Sequence, residues 1–492
     1  MDNSNSQITY HDNLSSSSWL QTLDCTKRRL LVFLFTSFFS LLVYLFTLVP
    51  EVNWGDGAEL SLQVYQLGVT HPPGYPVYTL LGKAVNLIVT NPAAATNLLS
   101  ALCTALTIGL MSLFILDLTN HIFASSIVPL IFAFTPQVWS MAVTTEVYNV
   151  NLLFLGLTLY LFHLWYKDSS MSALFLSSIL FGVSLGTYLA NLLLLPAFIF
   201  LLYRSKHKSY HKILLFISVS AILGISVLSF TYFRAGIIPP IGTRYIPGSL
   251  TDTIRYFTGH QYGTLSIQDL SFYLMRPIEH AARFGQNFLW IGILLGLYGI
   301  FIQRQMNRDL CLFFLLIMSI NFVYFTYYRT FDYYTMITPS YFIFSLWIAY
   351  SFTGKKKLRP AVLTVSIIVC IGLLIMQVPE RIERTHKYPV TNFVLSSFKQ
   401  IPKNAVVICG WNKFTPLLYF QKTHNLRDDI TLIERVKTTR YYEHGKVDSY
   451  LTFIDSHISL RPLIIDHVES IIQKRFNVTT IDNNWSQINL LK

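Results

Sequence analysis

Charge is scarce in this chain. Of 492 residues, 37 are Lys or Arg and 25 are Asp or Glu, a charged fraction of 13 %. A soluble globular protein carries about 25 %. With an apolar content of 52 %, the composition excludes an ordinary water-soluble fold and predicts an integral membrane protein. Cysteine is scarce too. Cys25, Cys103, Cys311, Cys370 and Cys409 form no Cys-x-x-Cys pair, and three lie in apolar runs. They read as inert buried thiols, and no His/Cys cluster points to zinc. The sequence shows no internal repeat, and Asp117 and the few other charges near apolar runs lie at their ends. Intramembrane charges and inverted repeats are marks of transport. A polytopic transporter or lipid-linked glycan flippase is therefore the alternative function, and a non-catalytic membrane scaffold is a third.

Long apolar runs are what the chain has. Phe and Tyr are abundant, at 37 and 29, as expected where rings sit at membrane interfaces. Residues 1–26 are polar and Ser-rich and read as a disordered cytoplasmic tail. A first span follows Lys27-Arg28-Arg29 and runs to Val49. Further runs lie near 97–117, 121–141, 149–166, 171–187, 190–203, 213–233, 286–303, 310–327, 334–352 and 360–378. The length criterion of about 20 residues per span then gives about eleven transmembrane helices. Taking 171–203 as two spans puts every dense basic cluster on one side: Lys27–Arg29, Lys167, Arg204–Lys208 with Lys212, Arg304 with Arg308, and Lys355–Arg359. Positive loops stay cytoplasmic. This accounts for the net charge of +12 without nucleic acid.

The topology leaves three features outside. The first is a short loop after the first span. The second is a long loop from Arg234 to about Gly285, with an interfacial helix near 251–257 capped by Thr251 or Asp252. The third is the tail. Strands at 405–409, 430–433 and 462–465, with helices at 414–421 and 466–475, predict a small α/β module. The division is thus 1–26 tail, 27–378 transmembrane catalytic domain and 379–492 extracytoplasmic α/β domain.

The short outer loop reads Asn53-Trp54-Gly55-Asp56-Gly57-Ala58-Glu59, followed by His71-Pro72-Pro73-Gly74-Tyr75-Pro76. Asp56 and Glu59 share a face if Asp56 begins a helix. Small neighbours let a second molecule approach the backbone, and the prolines fix an extended turn that cannot continue a helix. A carboxylate pair on a rigid loop at a membrane boundary suggests general acid–base chemistry.

These two motifs resemble the signature of the GT-C-type multispanning glycosyltransferases, a family that includes eukaryotic protein O-mannosyltransferases and bacterial relatives. Weaker similarity lies in Trp139 with Thr145-Glu146-Val147-Tyr148-Asn149, in Asp332 with Tyr334 and Pro339, and in Arg427-Asp428-Asp429-Ile430. Two positions depart from the pattern. Thr187-Tyr188 stands where members often carry Asn-His, and Gly410-Trp411 where they often carry Gly-Asp. The resemblance implies inverting transfer of a sugar, mannose among the candidates, from a polyprenyl-phosphate donor to a protein or glycan hydroxyl on the outer or lumenal face. The membrane would be the plasma membrane in a bacterium and the endoplasmic reticulum in a eukaryote. Asp56 is the expected base. Glu59 is the alternative base, or binds or positions the acceptor. His71 and Tyr75 belong to the signature, and His71 either touches the donor phosphate or is a satisfied loop residue. Glu146, beside Tyr148, binds a sugar hydroxyl or caps a helix. Arg234 and Arg244 bind the donor phosphate or anchor headgroups. Asp332 completes the expected substrate contacts. The sequence assigns no specific cofactor, and Mg²⁺ or Mn²⁺ on Asp56 and Glu59 is left open.

Overall fold

The computed structural model describes residues 24–205, 210–243, 245–262, 270–328, 333–435, 454–455, 460–468 and 470–490. Arg244, Asp332 and most of the expected N-terminal tail lie outside the described residues.

The first span, Cys25–Phe46, shows how the bundle is built. Val32, Thr36, Ser40 and Tyr44 recur every four residues and are buried, whereas Leu30, Leu34, Phe38 and Phe46 are exposed, as a lipid-facing surface requires. Thr36 and Ser40 donate to backbone carbonyls one turn back, both at 2.8 Å. This satisfies their hydroxyls within the helix. The buried stripe packs on Pro92–Thr119, a 28-residue helix buried on nearly all sides. Close approach there depends on Gly109, since a Cβ would lie 1.9 Å from Ser37 Oγ.

Where about eleven spans are expected, six helices among the described residues are long and apolar enough to cross a membrane, or up to eight if two bent pairs each count as one. One pair is Ile122–Ala133 with Pro136–Ala142, bent by 71°. Thr135 accepts from Val138 N there, and Pro136 opens the second helix. The other pair bends by 96° before Ile291, where Leu289 and Trp290 take positive φ. Met171–Ser184 and Leu189–Arg204 are shorter apolar helices, and the second begins as a 3₁₀ turn, Leu189–Leu194. Thr338–Tyr350 is 13 residues long and buried throughout. The chain is an integral, multi-pass membrane protein.

The two ends of the bundle differ chemically. At one end Arg29 pairs with Asp117 at 2.6 Å, Tyr160 donates to Asp117 at 2.7 Å, and Arg204 pairs with Asp309 at 3.0 Å. At the other end the connections are mostly neutral. Val49 N donates to Val143 O at 3.0 Å, and Trp139 Nε1 donates to Thr47 Oγ1 at 2.9 Å.

The segments expected outside hold more helix than expected. Asp56–Gln66 and Pro76–Asn86 are both helical. Pro76 therefore starts a helix, because its fixed φ and missing N–H suit the first helical position. In the long loop, Leu250–Phe257 is the expected helix, but its cap is Ser249, which accepts from Asp252 N at 3.1 Å. Leu270–Asn287 is a further helix. The helix Arg359–Thr385 continues through Pro379, and Pro389–Gln400 follows it.

The tail then forms a five-stranded sheet in the order β2-β1-β3-β5-β4. β1 (Val406–Cys409) pairs in parallel with β2 (Thr431–Glu434) and with β3 (Leu463–Ile465). These match the three expected strands. β4 (Asn477–Thr480) and β5 (Ser486–Asn489) add antiparallel strands at one edge. The helix Trp411–His424 makes the β1-to-β2 crossover and packs directly on the helix Asp56–Gln66.

Candidate active site

The loop after the first span is pinned before it reaches Asp56. Asn97 Nδ2 donates to Val49 O at 2.9 Å and to Glu51 O at 3.2 Å. The Glu51 carboxylate then receives Val390 N at 3.1 Å, Thr391 N at 2.8 Å and Thr391 Oγ1 at 2.6 Å. It caps the start of Pro389–Gln400, where unpaired N–H groups favour an anion. Gly55 precedes the Asp56 helix with φ +55°, a conformation that glycine adopts without strain. Its carbonyl accepts from Thr415 Oγ1 at 2.7 Å.

The helix Asp56–Gln66 is held against the bundle by hydroxyls. Ser61 Oγ lies 2.9 Å from Thr96 Oγ1, which lies 2.7 Å from Thr145 Oγ1. Thr145 in turn donates to Asn97 Oδ1 at 2.7 Å. Arg234 closes the other end, donating to Leu67 O at 2.5 Å and Gln66 O at 3.2 Å. A guanidinium on terminal carbonyls complements the helix dipole, so Arg234 holds the scaffold and is not among the residues that line the cavity.

Asp56 and Glu59 have different surroundings. The Asp56 side chain is 50 % exposed and that of Glu59 is 0 % exposed. Both Glu59 oxygens are occupied by one residue: His71 N donates to Oε1 at 2.9 Å, and His71 Nδ1 lies 2.9 Å from Oε2. Burial raises the Glu59 carboxyl above its usual range, and the His71 ring opposes that shift. His71 Nε2 reaches toward Asp56, 3.9 Å from Oδ2. Asp56 Oδ1 accepts the Trp411 indole N–H at 2.5 Å. The two carboxylates are thus linked through one imidazole and do not stand side by side. Of the two, Asp56 is the exposed one, and Glu59 turns both oxygens to His71. Among the described residues, no group of three or more His, Cys, Asp or Glu converges on a metal position.

Asp56 and His71 form the polar corner of a cavity of about 320 Å³. Tyr75, Tyr148, Tyr188, Tyr262 and Tyr328 supply aromatic walls, and Leu189, Leu192 and Leu193 supply an apolar one. Leu192 and Leu193 are also exposed, and both belong to the 3₁₀ turn Leu189–Leu194. Tyr75 stacks on Tyr188 with ring centroids 6.4 Å apart, and Tyr148 meets Tyr188 edge-on at 5.6 Å. Tyr256 donates to Thr70 O and so fixes the approach to His71. No Lys or Arg lines the cavity among the described residues. Glu146 does not line it either. Its backbone N–H donates to Ser100 Oγ at 3.3 Å.

Sequence reasoning places Asp56, His71, Tyr75 and Tyr148 at this cavity. Trp411 and Tyr188 it treats only as departures from a family pattern. Both point to the site, one against Asp56 and the other against Tyr75 and Tyr148. Their unusual identity at motif positions was the available signal. The Arg427 motif is elsewhere. Its guanidinium holds Asp429 at 2.8 Å and donates to the carbonyls of Phe398, Ile401 and Pro402.

Comparison with known proteins bears on this geometry. Residues 56–211 match the family model described as the protein O-mannosyl-transferase TMEM260 N-terminal domain. The protein O-mannosyl-transferase tmem260 of Dictyostelium discoideum is 29 % identical over 130 residues, covering 25 % of this chain and 16 % of the relative. The mouse (Mus musculus) protein O-mannosyl-transferase TMEM260 is 26 % identical over 248 residues, covering 46 % of this chain and 33 % of that one. The chain thus spans a third or less of the length of these curated relatives. Crystal structures of ArnT from Cupriavidus metallidurans, one apo and one bound to undecaprenyl phosphate, share its fold with a TM-score of 0.60 at 11 % identity, covering 94 % of this chain and 98 % of theirs. Residues 56–211 thus resemble the N-terminal domain of the TMEM260 protein O-mannosyl-transferases, and the chain shares the multispanning fold of ArnT.

Proposed function

We propose that this protein is a membrane glycosyltransferase that moves a sugar, mannose in the first instance, from a polyprenyl-phosphate donor to a protein hydroxyl. The observation that carries the reading is the cavity itself. A polar corner of Asp56 and His71 adjoins aromatic walls and an apolar wall of Leu189, Leu192 and Leu193, the last two exposed. Such a space suits a substrate with a sugar at one end and a hydrocarbon chain at the other. The ArnT neighbour is described as bound to undecaprenyl phosphate, the lipid-phosphate part of such a substrate.

The reaction assigned to the site is a displacement. The acceptor hydroxyl oxygen bonds to the anomeric carbon as the bond from that carbon to the phosphate oxygen breaks. The electron pair leaves with polyprenyl phosphate, and Asp56 Oδ2 takes the hydroxyl proton. Attack opposite the leaving group inverts the anomeric centre. His71, held by Glu59, sits beside Asp56 and is suited to hydrogen-bond the departing phosphate or the sugar. Glu59, fully buried and saturated by His71, positions that ring. The site lies at the end of the bundle away from the Arg29–Asp117 pair, in keeping with an outer or lumenal reaction.

The test is turnover of the purified full chain in nanodiscs with polyprenyl-phosphate mannose, glucose and arabinose and with protein acceptors. Transfer from one donor, lost in Asp56→Asn with donor binding retained, is the expected result. No transfer from any of the three, or full activity in Asp56→Asn, overturns the reading.

A further inference from the structure

The Asp56 carboxylate is not held by the membrane helices alone. Its Oδ1 receives the indole N–H of Trp411, 355 residues further along the chain. The indole is itself fixed. Gly242 lies against its six-membered ring with φ +63°, and a Cβ there would come within 2.2 Å of Trp411 Cζ3. Phe414 stacks near it, with centroids 6.4 Å apart. One turn along the same helix, Thr415 holds the carbonyl of Gly55, the residue before Asp56. Beyond the loop, Glu51 caps the next tail helix. The segment from Glu51 to Asp56 is thereby fastened to the tail at three points.

We infer that Trp411 is a positioning residue for the transfer reaction: its indole fixes the side-chain rotamer of Asp56 so that Oδ2 faces the cavity. This rests on the reading of Asp56 as the base. An exposed aspartate with one oxygen engaged by a rigid donor loses the freedom to rotate both oxygens. Preorganisation of this kind is used in the transition state. The tail is then a part of the catalytic centre and not an appendage, and Trp411 performs there a task that a flexible polar side chain would do less well.

Trp411→Phe keeps the ring and removes the donor. In the full chain in nanodiscs, with polyprenyl-phosphate mannose, glucose and arabinose as donors, kcat should fall about 10- to 100-fold, the range for losing one hydrogen bond to a charged group. The KM for the donor should change less than about threefold, and the melting temperature should be nearly unchanged, since a merely structural role would move stability and not kcat. Gly242→Ala, which displaces the indole without altering it, should show the same kcat loss. It stands in if Trp411→Phe folds poorly. In an Asp56→Asn background, Trp411→Phe should add no further loss, because the two act as one unit. If Asp56→Asn is inactive while Trp411→Phe and Gly242→Ala both turn over at the parent rate, or if the double variant is additively worse, the positioning role is wrong and the base assignment survives. If Asp56→Asn is fully active, the base assignment itself falls.

Discussion

His71 spans two carboxylates with one ring: Nδ1 lies 2.9 Å from Glu59 Oε2 and Nε2 lies 3.9 Å from Asp56 Oδ2. The inner carboxylate is dry and the outer one is wet. The imidazole conveys orientation from the scaffold to the cavity.

Asp56→Asn preserves the shape and the contact with Trp411 but cannot accept the hydroxyl proton. Loss of a general base costs about 10²–10⁴ in rate. Turnover should drop by that order, with donor affinity little changed when measured by equilibrium binding.

Glu59→Gln keeps an acceptor for His71 N but disturbs the ring contact. A smaller kcat loss than for Asp56→Asn is expected, about 10- to 100-fold by the same hydrogen-bond range. Steady-state kinetics of the two variants side by side decide the order. A dead Glu59→Gln beside an active Asp56→Asn would exchange their roles.

Tyr188→Ala removes a ring that meets both Tyr75 and Tyr148. An aromatic pair contributes about 0.5–1.5 kcal/mol beyond its buried area. Donor KM should rise about two- to tenfold, whereas Tyr188→Phe should stay near the parent value. A null effect in both would remove Tyr188 from the substrate wall.

Asp117→Asn breaks the pair with Arg29 at the opposite end of the bundle. The Asp117 side chain is 10 % exposed and that of Arg29 is 31 % exposed, so the cost lies between surface and buried pairs, about 1–3 kcal/mol. Thermal unfolding in detergent should show the loss, and the donor KM should stay at the parent value.

The tail offers a pH test. The Arg427 guanidinium and the backbone N–H of Asn404 hold the Asp429 carboxyl well below the usual carboxylate range. A depressed carboxyl contributes stability that is present above its unfolded value of 3.8 and is lost as pH falls through the folded value. Asp429→Asn should therefore melt lower than the parent at pH 7, and the gap should close on acidification below about pH 4. A gap that widens on acidification contradicts the assignment.

Much of the architecture is legible in the sequence, because lipid demands continuous apolar runs. The helices Cys25–Phe46, Pro92–Thr119 and Tyr148–Asp168 lie where their runs lie. The breaks are less legible. The run 121–141 reads as one span while the helix turns by 71° at Thr135-Pro136, because average apolarity records the solvent and not the direction of the backbone. The β1, β2 and β3 strands are visible as short apolar runs, whereas β4 is mostly exposed and carries no such pattern. At the site, Asp56 and His71 stand close in sequence and read as one motif. Trp411 reaches Asp56 only through the fold, and no local pattern announces a contact across 355 residues.

That separation also sets an order of events during synthesis. The carboxylate is made just after the first apolar helix, and its indole partner follows every long apolar helix among the described residues. Until Trp411 and Thr415 are made, the Asp56 loop lacks two of its three fastenings to the tail. A chain cut short before the crossover helix therefore carries the whole Asp56 motif with its loop unfastened.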